Sequence, residues 1–219
     1  TGQSGWLGDL AVALANLPCP VLVDFIRVTC CEDVDVVIKQ VENSFRTQAA
    51  GIIQEKRRLT LMRDRVEIDE KGKSHSDVWQ YRRYLDIALP HHRKALTCLI
   101  TGEHALLDVR GGWSVRGLKI AQEWRLCRFC ESAIEDSVHA LFVCNGRADL
   151  TDMRLRFWDD VAVYNATVRG TSADPARWIG TLCNNARTCT RLGKYVFDVL
   201  QLFSMHQAYL PPQHAWVPA

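Results

Sequence analysis

Arg191-Leu192-Gly193-Lys194-Tyr195-Val196-Phe197-Asp198-Val199-Leu200 lies inside the clearest helical pattern of the chain. Across residues 185–206, Leu192, Val196, Val199, Leu200 and Phe203 recur at helical spacing and fall on one side. Arg187, Arg191 and Lys194 share the other side. The pattern predicts an amphipathic helix that buries one stripe and leaves a basic stripe outside. A second long pattern lies near the start. Glu32-Asp33 open it, and acids in a first turn suit the positive end of a helix. Val34, Val37, Ile38, Val41 and Phe45 then keep helical spacing, and the pattern runs to about Met62 through Ile52, Ile53 and Leu59.

Between and around these helices the reading is less regular. Residues 1–31 are punctuated by Gly and Pro, then become apolar and rich in β-branched residues from Pro20 to Val28, which predicts an extended segment. Residues 64–76 read as a polar connection. Ser76 is a suitable N-cap for a helix from Asp77. Pro90 restarts the chain in a first helical turn, and Gly102 is well placed to stop that helix. Residues 108–121, with Gly111, Gly112 and Gly117, read as a loop. A helix follows over 149–163, then a loop over 165–175, and the tail from Pro211 reads as extended. The expected organisation is an N-terminal extended segment (1–31), a helical region (32–106), a loop with a cysteine cluster (107–146) and a C-terminal helical region packed on the rest (147–219).

That cluster carries the chemistry. Trp124-Arg125-Leu126-Cys127-Arg128-Phe129-Cys130 is followed by eight residues, then His139-Ala140-Leu141-Phe142-Val143-Cys144. Two cysteines two residues apart form a tight turn that aims both sulfurs at one point. Eight residues make the return. His139 and Cys144 then lie about a turn and a half apart on a regular helix, so an irregularity or a helix end must bring them together. Three thiolates and one imidazole close a tetrahedral zinc shell with no open position, which is a structural arrangement and not a catalytic one. The expected ligands are Cys127, Cys130, His139 and Cys144, the cofactor is Zn2+, and the fold class is a mostly α helical domain with an embedded CCHC zinc knuckle. The bland alternative is four residues that merely fall close together, with buried, unligated thiols.

Composition bounds the rest. The chain has 219 residues, of which 47% are hydrophobic, enough for a sizeable core. No apolar run is long enough to span a membrane, so no membrane partner is expected. The chain starts at Thr1 rather than Met and shows no signal-peptide pattern. Nine cysteines are present, three of them at metal-ligand spacing, and metal-ligating thiolates suit a reducing compartment, so an intracellular, nuclear or cytoplasmic, location is expected. The six cysteines outside the cluster read as small buried hydrophobes.

The net charge of +2 is too small to argue nucleic-acid binding from the whole-chain field. Local patches exist at 56–65 and 82–94, and each alone reads first as a solvated helix face. From Ala121 to Asp160 there are five basic residues against eight acidic ones, which makes the cluster itself a poor phosphate site. If phosphates are contacted, the contact residues are expected to be Arg57, Arg58, Arg93, Lys94, Arg187 and Arg191. Arg93 and Lys94 lie near Pro90, where a helix N-terminus adds free N–H donors.

Several stretches taken together resemble a known family. They are Pro90-His91-His92-Arg93-Lys94-Ala95-Leu96-Thr97, Thr101-Gly102-Glu103-His104-Ala105-Leu106, the cysteine–histidine segment, and Leu192 to Leu200. The run is similar to the C-terminal end of fungal LINE-type (non-LTR) retroelement reverse transcriptase polyproteins, over roughly residues 30 to 215. The resemblance implies a non-catalytic region whose knuckle, at Cys127, Cys130, His139 and Cys144, is implicated in binding element RNA or target DNA. No Tyr-x-Asp-Asp-like polymerase motif is present, nor a recognisable ribonuclease H or restriction-like nuclease pattern. The chain is therefore expected not to be an enzyme but a zinc-stabilised nucleic-acid-binding module that meets RNA or DNA through phosphates. The alternative is a host-repurposed helical scaffold for a protein partner, towards which seven Trp residues and near-neutral charge point, although most of those Trp residues read first as core. A hydrolase is disfavoured, because adjacent acids such as Asp159-Asp160 do not face one another on a helix.

Overall fold

The computed structural model describes residues 5–63, 67–68, 73–75, 81–164 and 175–219, and the protein is mostly α-helical. The described residues divide into two compact units, one ending at Arg57 and the other running from Arg58 onward. The divide thus lies well after residue 31, where the sequence places a boundary.

In the first unit, Trp6–Ala15 forms helix α1 where an extended segment is expected. The reason is local. Leu7, Leu10 and Leu14 fall at helical spacing among alanines, the best helix former, and the prolines lie beyond the helix end. After α1 the chain turns back, and the Val21 N–H donates to the Leu14 carbonyl at 3.0 Å. The Cys19 N–H donates to the buried Ser44 hydroxyl at 2.8 Å, which ties this turn to helix α2 (Cys31–Glu55). Residues 20–30 form no strand. The Asp33 carboxylate starts α2 by accepting from the Thr29 N–H at 2.9 Å and the Cys30 N–H at 3.2 Å. The helix ends at Glu55, short of Met62. An acid sits there at the negative end of the helix dipole, Lys56 turns extended, and Arg57–Met62 forms two short 3-10 turns that kink at Leu59. Residues of α1, α2 and the segment between them, among them Trp6, Leu10, Phe25, Val34, Ile38 and Val41, line an open apolar groove of about 770 Å³.

The second unit holds the main core. Its helices are α3 (Pro90–Ile100), the short α4 (Leu107–Arg110), α5 (Ala148–Ala162), α6 (Pro175–Cys183) and α7 (Ala186–Ser204). The decisive stripe behaves as its spacing predicts: Leu192, Val196, Val199 and Phe203 are buried, and α7 packs against α3, α5 and α6. Each fully buried large apolar side chain contributes about 1.5–3 kcal/mol. Asn185 caps α7, its side-chain oxygen accepting from the Arg187 N–H at 2.8 Å. Phe157 of α5 stacks on Tyr195 of α7 with ring centroids 4.3 Å apart. Gly102 ends α3 with φ +66°, and a Cβ there would meet the Arg58 carbonyl oxygen at 2.4 Å, so the stop is also a close crossing.

Two small antiparallel pairs complete this unit. β1 (Glu67–Ile68) pairs with β2 (Ser74–His75) inside the expected polar connection. β3 (Leu118–Ile120) pairs with β4 (Trp216–Pro218), with Ile120 opposite Trp216. The tail expected to be extended holds a 3-10 turn at Gln213–Ala215 and then β4, and 108–121 is not simply a loop, since it holds the end of α4 and β3. The helix expected from Asp77 starts outside the described residues, and the chain beyond it makes a 3-10 turn at Arg83–Asp86. The loop expected at 165–175 also lies outside them, except for Pro175, which opens α6.

Candidate metal centre

The turn at Cys127–Cys130 is built by short-range hydrogen bonds. The Cys127 N–H donates to the Ala133 carbonyl and the Glu131 N–H to the Cys127 carbonyl, both at 2.8 Å. Glu131 takes a positive φ of 50°, which reverses the chain, and Leu126 then bridges Ile134 in antiparallel fashion. This is the expected turn and return. Asp136 then caps the next helical segment by accepting from the His139 N–H at 2.7 Å.

The spacing of His139 and Cys144 is solved by one π-helical turn, His139–Val143. It is closed by the Cys144 N–H donating to the His139 carbonyl at 2.8 Å. A π-turn bonds residue i to i+5, so five residues come round to nearly the same face, whereas a regular helix would carry them about 140° apart. The widened turn is held from outside. Arg154 of α5 donates from Nε to the Leu141 carbonyl at 2.9 Å, from Nη2 to the Cys144 carbonyl at 2.5 Å and from Nη1 to Asn145 Oδ1 at 3.0 Å. Tyr195 Oη of α7 donates to the same Leu141 carbonyl at 2.5 Å.

Together these elements bring the three Sγ atoms of Cys127, Cys130 and Cys144 and a ring nitrogen of His139 all within 4.8 Å of one another. Cys127 Sγ lies 3.6 Å from Cys144 Sγ, and Cys130 Sγ lies 3.3 Å from His139 Nε2. A tetrahedral ion about 2.3 Å from each thiolate separates two sulfurs by about 3.8 Å. A disulfide needs about 2.05 Å. The separations fit a shared ion and not a covalent bond, and the cluster can hold a metal ion.

The electrostatics suit such an ion. Burial pushes the Cys127 thiol up to about 12 and raises Cys144, so without a cation both stay protonated. Against burial stand N–H groups aimed at sulfur: Phe129 and Cys130 at Cys127, and Gly146 at Cys144. Burial also opposes ionisation of Cys130, but hydrogen bonds from Ser132 and the neighbouring thiols win and hold it below its ordinary value. Burial lowers His139, which favours the neutral imidazole that a metal requires.

Several residues that spacing alone does not reveal complete the site. Gly146 passes so close to the first turn that a Cβ would sit 2.5 Å from the Phe129 carbonyl carbon and oxygen. Fully buried Glu135 accepts from the Leu107 N–H and the Arg128 N–H, each at 2.9 Å, and from Arg128 Nη2 at 2.6 Å. Arg128 Nη1 reaches on to the Phe203 and His206 carbonyls at the end of α7, at 2.5 and 2.8 Å. A glycine two residues beyond the last ligand is a detectable signal; nothing in the sequence singles out Arg154 or Glu135.

Of the six cations expected to contact phosphate, Arg187 and Arg191 are brought together on α7, where Arg191 Nη1 donates to the Arg187 carbonyl at 3.3 Å. Arg57 ends the first unit, while the other five belong to the second. Arg58 pairs with Glu103. Arg93 donates to the Ile87 carbonyl at 2.8 Å, and Lys94 is exposed. Arg187 and Arg191 both lie over the Tyr164 ring, and Arg191 Nη2 donates to the Tyr164 hydroxyl at 2.9 Å. Of the remaining thiols, Cys183 and Cys189 are buried as expected, but Cys19, Cys30 and Cys31 are exposed and Cys98 is half-buried. No helix among the described residues is long and apolar enough to cross a membrane. Comparison of the chain with protein-family models, with curated proteins and with solved structures finds no match to any of them.

Proposed function

We propose that this is a zinc-stapled helical module whose work is binding and not catalysis, and that its ligand is RNA or DNA met through phosphates. The observation that carries the zinc reading is the convergence of three thiols and one imidazole on one buried point. Soft sulfur donors with one imidazole select zinc over magnesium or calcium, and four protein donors leave no position for substrate. Metal analysis of the purified protein should give one equivalent of zinc, and Cys127→Ser should remove most of it. A protein that holds no zinc when prepared with zinc present ends this reading.

Support for the nucleic-acid part is the resemblance to retroelement C-terminal regions, together with the cations at Arg57, Arg58, Arg93, Lys94, Arg187 and Arg191. Several of these already have partners within the protein, so the exposed Lys94 and its neighbour Arg93 are the sharpest test. Binding to single-stranded RNA and to duplex DNA is measured across a salt series. Micromolar affinity with a negative salt slope is expected, and Arg93→Gln with Lys94→Gln should flatten the slope by roughly one unit per lost phosphate contact. One observation favours a second reading, a scaffold for a protein partner: the open apolar groove of the first unit. No binding to either nucleic acid at low salt puts that reading first.

A further inference from the structure

The second unit holds two buried arginines beside the candidate metal centre, and they differ in one respect. Arg128 has a carboxylate partner, Glu135, at 2.6 Å. Arg154 is only 8% exposed, and every group it bonds among the described residues is uncharged: the Leu141 carbonyl, the Cys144 carbonyl and the Asn145 amide oxygen. A buried cation with no anion beside it is strongly disfavoured. Two of its three partners belong to the segment that carries His139 and Cys144. Asp136 and Glu135 are the negative groups facing that histidine. Asp136 is engaged by the His139 N–H, and Glu135 by Arg128 and the Leu107 N–H.

A divalent ion on three thiolates and one neutral imidazole carries a net charge of minus one. We infer that Arg154 is the counter-ion of that anionic centre and its principal positioning residue. Its guanidinium fork fixes the π-turn that brings His139 and Cys144 together, and its charge makes three thiolates tolerable in a buried place. This inference rests on the divalent-metal reading of the cluster.

The test measures cobalt(II) binding by the thiolate-to-cobalt absorption band, in the parent and in Arg154→Met, Arg154→Lys and Arg154→Gln. Outer-shell groups of metal sites typically change affinity by roughly 10–100-fold. Arg154→Met should weaken cobalt binding within that range and raise the pH at which cobalt is released, whereas Arg154→Lys, which keeps the charge but loses the fork, should recover part of both. The charge is isolated by repeating Arg154→Met in a Cys130→His background. There the centre becomes formally neutral, and the loss caused by Arg154→Met should shrink severalfold. Should Arg154→Met not fold, Arg154→Gln against Arg154→Lys supplies the same comparison. Equal losses in both backgrounds, or Lys as poor as Met or Gln with the release pH unmoved, overturn the counter-ion role. A parent that takes up no cobalt and no zinc removes the metal reading itself, and this inference with it.

Discussion

At Gly146 the chain leaving Cys144 runs against the backbone of Phe129 and Cys130, and the atoms in the way are peptide atoms that cannot swing aside. Gly146→Ala should therefore destabilise the protein by about 1–3 kcal/mol, as overpacking does, and weaken metal binding, because the shift falls on the Cys127–Cys130 turn. Gly51, in the interior of α2, is the contrasting case. A Cβ there meets nothing within 4 Å, so Gly51→Ala should stabilise by about 0.5–1 kcal/mol. Thermal melts of the two variants check both signs, and a neutral or stabilising Gly146→Ala contradicts the close crossing. His104 makes a second residue-scale prediction. Burial holds its imidazole down to about 4, against the pull of Asp136, Glu135 and Glu103. The unfolded side chain titrates near its usual value of about 6.5. Between these values the unfolded chain carries a proton that the folded one lacks, so stability falls as pH drops through that window, by about 1.4 kcal/mol per unit, and is flat above it. The His104 ring shift, followed by NMR in the metal-loaded protein, should not move until well below pH 6; titration near 6.5 refutes the assignment.

Among the elements, legibility followed periodicity. Residues 185–206 carry a long apolar stripe with Asn185 at its start, and α7 runs from Ala186 to Ser204 with that asparagine as its cap. Asn185→Ala should lower stability by about 1 kcal/mol, while Asn185→Asp should keep most of it, because the carboxylate accepts from the same N–H groups. Chemical denaturation of the pair separates the cap from side-chain size; equal losses sink it. The four clustered residues were readable from their spacing, and so was the need for an irregular turn between His139 and Cys144, since five residues overshoot one turn of a regular helix. The form of that irregularity was not readable. A π-turn is rare, and it persists here because Arg154 and Tyr195, ten and more residues downstream, occupy the carbonyls it frees. α1 was missed because Gly2, Gly5 and Gly8 mark a loop in a short window, while the leucine spacing that makes it a helix spans only two turns. β3 and β4 were missed as a pair because nothing local in 118–120 announces a partner about a hundred residues later.

In the second unit the cysteine–histidine cluster is part of the core and not an attachment to it. Cys127 and Cys144 are buried in the same apolar cluster as Leu192, Val196 and Phe203. Phe129, between the first two cysteines, lies 4.5 Å from the Phe203 ring, and Arg128 closes the end of α7 by donating to its last carbonyls. Without an ion, the buried Cys127 and Cys144 thiols are protonated and nothing draws the four donors to one point, so the Cys127–Cys130 turn and the π-turn lose their common anchor. That loss passes directly to α7 through Arg128 and Tyr195, and from α7 to α5 and α3, which pack on it. Binding linkage sets the size. Free metal at a thousand times its dissociation constant stabilises the folded state by about 4 kcal/mol, a large part of the stability of a domain this size. Chelation should therefore lower the melting temperature and speed hydrogen exchange both at residues 127–144 and along α7, and adding zinc back should restore both. Faster exchange confined to 127–144, with α7 and the melting temperature unchanged, would show that the cluster is only an appended clip and that the packing of Phe129 and Arg128 against α7 does not depend on it.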